Sequence, residues 1–185
     1  MTRAHILVLA AWLAGLATVP AAADQTDPRL DALFAELRET ESEISAANAE
    51  REIWSIWLET DVPAAARATA RGVRLLRLAR HDAAEAAFSR AIAAAPAFAE
   101  AWNKRATVRF HQGDLAGAAA DVRRTLALEP RHFGALAGLG MIFERRDRPA
   151  RALASFEAAL TINPHLDGVR ARVRDLRRRV EGRPL

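Results

Sequence analysis

The sequence predicts an all-α fold, a solenoid of stacked helix pairs, on three observations. Ala84, Ala118 and Ala152 lie 34 residues apart, and Pro96, Pro130 and Pro164 repeat the same step. A fixed period of that length marks stacked copies of one small helical unit, because a single unit cannot bury its own apolar face. Phe88, Val122 and Phe156 return with the same period, as do Ile92, Leu126 and Leu160, and the two sets stand four residues apart within each copy. That is the spacing of one helical face and predicts a continuous core. The chain therefore reads as a binding scaffold.

Taken in order, residues 1–23 have the features of an export signal: Arg3, an apolar stretch over residues 6–19, and Ala21, Ala22 and Ala23 before Asp24. The apolar stretch is short of the roughly 20 residues of a membrane span, so cleavage near Ala23 and Asp24 predicts a soluble chain. An Ala- and Arg-rich composition points to a GC-rich bacterial source, which makes the periplasm the expected destination, with secretion beyond it as the other outcome. With no cysteine there is no lipid-attachment thiol and no disulfide to form there. Removing 23 residues from 185 leaves 162, enough for one elongated domain with a core.

Residues 24–62 predict a helix pair. Leu30, Leu33, Phe34 and Leu37 share one face of the first helix, and Ile53, Trp54, Ile56, Trp57 and Leu58 make an apolar patch on the second. Trp54 and Leu58 stand 34 residues before Phe88 and Ile92, so the pair reads as a worn extra copy serving as an N-terminal cap. Arg38 and Glu50 occupy positions that need small residues, which predicts looser packing. Trp54 and Trp57 are expected in the core, as large aromatics mostly are.

From residue 63 the period takes over. Gly72, Ala106 and Gly140 are small where helix axes approach closely, and each proline follows a second helix, where a residue without an amide proton ends it. Three copies are expected, over residues 63–96, 97–130 and 131–164. Residues 165–185 carry a last helix with Val169, Val173, Leu176 and Val180 in one stripe and Arg170, Arg172, Arg174, Arg177, Arg178 and Arg179 on the other faces. Such a helix covers the open end of the stack with a polar outer side. The alternative is that its arginines dock on anionic lipid headgroups or an acidic partner.

The units resemble tetratricopeptide repeats, most clearly in the middle copy, with Trp102 opening a helix, Gly113 and Asp114 in the turn, Ala118 early in the second helix and Pro130 closing it. The chain is similar to small exported bacterial proteins of this family. The resemblance implies a right-handed α-solenoid of antiparallel helix pairs, here with an N-terminal helical cap and a C-terminal capping helix. Arg109 stands where the family usually has an aromatic, its stem expected on apolar surface with its head in water. Thr125 replaces the small residue seen as Ala91 and Ala159.

Function in such a stack resides on the concave face, lined by the first helix of each unit. Asn103, Thr107, Phe110 and His111 fall on one side of the middle unit's first helix with Lys104 adjacent, and Arg77, Met141, Glu144 and Arg145 extend the groove. These side chains suit an extended peptide or a partner helix: amide and basic heads fix a backbone or carboxylate, and Phe110 and Met141 offer apolar contact. Some members of the family grip a terminal carboxylate with lysine and asparagine on successive first helices; Thr69 and Val73 depart from that pattern, so that ligand is not expected. The expected partner is another protein or peptide, with peripheral contact to an anionic envelope surface as the alternative.

Chemistry is not legible. Asp82 and Glu85 are read as first-turn acids capping a helix rather than as ligands beside His81, since two donors without a third rarely hold a metal. His111, His132 and His165 have no ligand spacing. Gly138, Leu139 and Gly140 lie inside a helix and not after a strand, unlike a phosphate loop. No catalytic residue, metal or cofactor is assigned. The formal charge of +4 is unevenly placed: residues 24–61 carry 11 acids and three arginines, and 23 bases face 12 acids beyond them. An exported chain has no nucleic-acid partner whatever this charge.

Overall fold

The computed structural model describes residues 27–180 and residue 182; the segment read as a leader lies outside them. The described residues form nine helices and no strand: α1 (Arg29–Glu39), α2 (Glu43–Leu58), α3 (Pro63–Arg77), α4 (His81–Ala94), α5 (Ala99–Gln112), α6 (Leu115–Leu128), α7 (Phe133–Arg145), α8 (Pro149–Ile162) and α9 (Asp167–Val180). The pairs α3–α4, α5–α6 and α7–α8 each fall within one 34-residue unit, and each second helix stops two residues before Pro96, Pro130 or Pro164. Pro63 and Pro149 open α3 and α8 at a position where the missing N–H is no loss. Asp114 caps α6 by accepting from the Gly117 N–H at 2.8 Å.

Close packing follows the repeated small residues. Ala84, Ala118 and Ala152 are fully buried. A methyl placed on Gly72 would lie 2.6 Å from Phe88 Cε1, and one on Gly140 would lie 2.5 Å from Phe156 Cε1. In the middle unit Val122 stands where the others have phenylalanine, and Ala106 is accommodated where they need glycine; both are buried.

Several residues that depart from the pattern tie neighbouring units together. Arg109 does not leave its head in water: its Nε donates to Glu85 at 2.8 Å and its Nη1 to Asp121 at 3.1 Å, bridging α4, α5 and α6. Arg105 holds the same Asp121 through two bonds of 2.8 Å. Asp82 and Glu85, read as caps, instead accept from Gln112 and Arg109, because both acids face the next unit; α4 has no side-chain cap. Thr125 is fully buried, its hydroxyl donating to the Asp121 carbonyl at 3.1 Å.

The first helices lie on the inner side of the curve, since α5 packs on both α3 and α7 more than α4, α6 and α8 pack on one another. The N-terminal pair covers this inner side over the second and third units rather than standing ahead of the first. α2 packs on α5 and α1 on α8, with Phe133, Ile162 and Leu166 joining their core. Gly134 opens a seat for Trp54, whose Cη2 lies 2.6 Å from where a methyl on that glycine would be, and Glu50 accepts from Asn163 at 3.0 Å. As the bulk at Arg38 and Glu50 predicts, α1 and α2 touch one another less extensively than the two helices of any repeat unit, while Leu30, Phe34, Leu37, Ile53 and Ile56 are buried in the core they share with Phe133. At the other end, Val173 and Leu176 of α9 pack against Ala152 and Phe156.

Candidate functional site

The inner face has a closed half and an open half. The closed half centres on Glu100, whose carboxylate is buried in the first turn of α5. Its Oε2 accepts from Asn103 Nδ2 at 2.8 Å and from His132 Nε2 at 2.9 Å, and Lys104 Nζ lies 2.8 Å from Oε1. The Ala135 N–H donates to His132 Nδ1 at 3.1 Å, so the ring proton resides on Nε2 and points at the carboxylate. Burial pushes the Glu100 carboxyl up, but the His132 hydrogen bond and the Lys104 charge outweigh it and hold the group below its ordinary value of 4.5. Over this cluster sits α2: Trp57 stacks on His132 with centroids 4.0 Å apart, and Lys104 Nζ lies 5.1 Å from the Trp54 ring centroid.

The open half lies toward the C-terminal ends of α5 and α7. A recess of about 160 Å³ between them is lined by Ala106, Phe110, Val122, Gly138, Met141 and Ile142, with Asn103, Thr107, His111 and Gly134 around it. Nothing lies within 4 Å of where a side chain on Gly138 would begin, so this glycine leaves the floor open. Phe110 and Met141 also line a second recess of about 330 Å³ with Glu144, Arg145 and Arg172 of α9. The Arg145 guanidinium rests 4.8 Å from the Phe110 ring centroid, and Glu144 accepts from Arg172 at 2.5 Å.

Family comparison decides what this architecture belongs to. The sequence model of the family described as Tetratricopeptide repeat matches residues 69–128 and 112–167. The chain belongs to the tetratricopeptide repeat family. A TPR repeat-containing protein of Rhizobium etli is 32% identical over 136 residues, which span 74% of this chain and 67% of that protein. Among solved structures, the first TPR of Spaghetti (RPAP3) bound to the HSP90 peptide SRMEEVD superposes with a TM-score of 0.63 at 18% identity, covering 65% of this chain and 96% of that one. The Arabidopsis OM64 TPR domain matches equally well, with a TM-score of 0.63 at 19% identity over 64% and 98% of the two chains. The second TPR domain of human RPAP3, in complex with the HSP70 peptide SGPTIEEVD, gives a TM-score of 0.56 at 20% identity over 60% and 92%.

In this tetratricopeptide repeat protein the groove residues expected from sequence divide by access. Thr107, Phe110, His111, Met141, Glu144 and Arg145 surround the open recesses. Asn103 reaches one recess but is largely buried and donates to Glu100; Lys104 is held by Glu100 and Trp54. Arg77 is exposed on α3 and lines neither recess. Glu100, His132, Gly138 and Arg172 were not singled out as groove residues. The Glu100-to-Lys104 spacing of four was a visible pairing signal, whereas the approach of His132 and of Arg172 depends on tertiary contact.

The arginines of α9 are mostly paired. Arg172 binds Glu144, Arg177 binds Glu157, Arg170 binds Asp167, Arg178 binds Asp175, and Arg179 lies 3.6 Å from Asp147. Arg174 alone of the six has no such partner among the described residues. No three histidine, aspartate or glutamate side chains among the described residues come together to hold a metal, and no helix there is long and apolar enough to cross a membrane.

Proposed function

We propose that this protein is a non-catalytic adaptor that holds a short segment of a partner protein in the open half of its inner groove, between α5, α7 and α9. The observation that carries this reading is the apolar recess over Gly138, rimmed by Phe110, His111 and Met141 and flanked by Arg145 and Arg172. It offers a seat for an apolar side chain beside charged groups that can fix its neighbours. Solved TPR neighbours hold HSP90 and HSP70 peptides, which supports a peptide-sized occupant. The terminal-carboxylate ligand is not part of the proposal, because Asn103 and Lys104 already hold the chain's own Glu100.

The periplasm is the proposed location, supported by the leader-like residues 1–23; a mature protein beginning at Met1 in the native host would refute it. Docking of α9 on an anionic envelope surface is the weaker reading, since acids already face most of its arginines. The groove reading is tested with Gly138→Leu, which fills the recess without meeting another atom at the new Cβ and exchanges a helix-interior glycine for a strong helix former. The variant is expected to melt no lower than the wild type and to lose the partner recovered by cross-linking and mass spectrometry in the native host. Retention of the same partner by a well-folded Gly138→Leu protein would remove the groove from the function.

A further inference from the structure

We infer that the groove is electrostatically polar along its length, and that its occupant carries one bulky apolar side chain with an acidic residue on one side and a basic residue on the other. This rests on the groove reading above and adds the chemistry of the segment. Met141 lines the recess over Gly138, the one beside Arg145, and a third of about 450 Å³ that reaches Glu50, His165 and Asp167, so the three adjoin at this residue and together form a channel beside α7. From Ala137 to Arg145 that channel follows roughly 12 Å of helix.

Its two ends differ in charge. At one end Arg145 faces the Phe110 ring and forms no ion pair among the described residues, and Arg172 shares only Glu144. Positive charge is therefore in excess there. At the other end Glu50, Glu43 and Asp167 gather around His165; Arg170 stands among them, and Arg172, paired with Glu144, reaches the edge of this end from the first. Both Glu50 oxygens accept from neutral donors, Trp54 Nε1 at 3.3 Å and Asn163 Nδ2 at 3.0 Å, so its charge is not cancelled. The Nε2 of His165, in the wall of this end, is buried without a hydrogen-bond partner among the described residues. An occupant with a carboxylate near Arg145 and an amine or guanidinium near Glu50 satisfies both ends, while an apolar side chain between them enters the recess over Gly138.

The test is selection of a displayed library of random 12-residue peptides on the full chain at low ionic strength. The enriched peptides should carry a bulky apolar residue with an acid to one side and a base to the other. They should bind Gly138→Leu and Arg145→Glu at least tenfold more weakly, and Arg145→Gln by an intermediate factor. A second selection on Arg145→Glu, an exposed position in the last turn of α7, should lose the acidic preference; circular dichroism verifies its fold. Enriched peptides that Gly138→Leu blocks but that show no charge preference overturn the polarity and leave the groove reading standing. Peptides indifferent to Gly138→Leu, or a library yielding no binder, overturn the groove reading and this inference with it.

Discussion

At residues 79, 113 and 147, one per unit and 34 apart, the chain turns from the first helix to the second through a left-handed backbone conformation. Gly113 does so at φ 83°, where it meets no penalty, but Ala79 and Asp147 adopt φ 53° and 51° with a Cβ in the way. Ala79→Gly should therefore stabilise the protein by about 0.5–1 kcal/mol, the relief of strain outweighing the glycine's greater loss of freedom. A thermal melt checks this, and a lower melting temperature would show that the turn is unstrained. Glu100 supplies a second residue-scale test. Its folded pKa lies below the ordinary 4.5, so its contribution to stability is fully present above about pH 4.5 and is lost as pH falls through the folded value. Glu100→Gln should flatten the acid limb of the stability profile below about pH 4.5, measured by urea melts; an unchanged limb would assign acid sensitivity to other carboxylates.

Between helices, the repeat is a matched exchange of volume. Glycine on the first helix faces phenylalanine on the second in the outer units, and alanine faces valine in the middle one. Gly140→Ala drives a methyl to within 2.5 Å of Phe156 and should cost about 1–3 kcal/mol. Adding Phe156→Val, which recreates the middle unit's pair, should recover part of that loss, so the double variant is more stable than the sum of the single changes allows. Strict additivity would mean the two positions do not share a contact. This scale was the most legible from sequence: small residues, bulky residues and prolines at a 34-residue step state which helices meet and where they stop. The same reasoning misplaced Asp82, Glu85 and Arg109, because their partners sit on the neighbouring unit and no period announces a single salt-bridged junction. The floor of the groove was legible in part: Phe110 and Met141 follow from helical spacing, but the opening at Gly138 depends on what the third dimension leaves empty.

For the whole molecule, the decisive contact joins residues nearly half the chain apart. Trp54 and Trp57 settle on His132, Phe133 and Gly134, and Asp31 reaches Arg131 at 2.6 Å. A period could not reveal this, since Trp54 keeps the register of Phe88 while packing on a different unit, and Leu58, in register with Ile92, is exposed. The consequence is a division of the inner face: the hairpin and Glu100 close one half, and the half beside Phe110, Met141 and Arg145 stays open. It also couples the chain's first helices to its later units, past the α3–α4 pair. Trp57→Ala removes the ring that stacks on His132 and should cost about 3–5 kcal/mol. In hydrogen exchange, α1, α2 and residues 129–134 should lose protection while α3 and α4 keep theirs, because the hairpin leans on α5, α7 and α8 and barely on α3. Were α3 and α4 to loosen first, the hairpin would be bracing the first unit directly, and the inner groove would owe its closed half to something other than these two tryptophans.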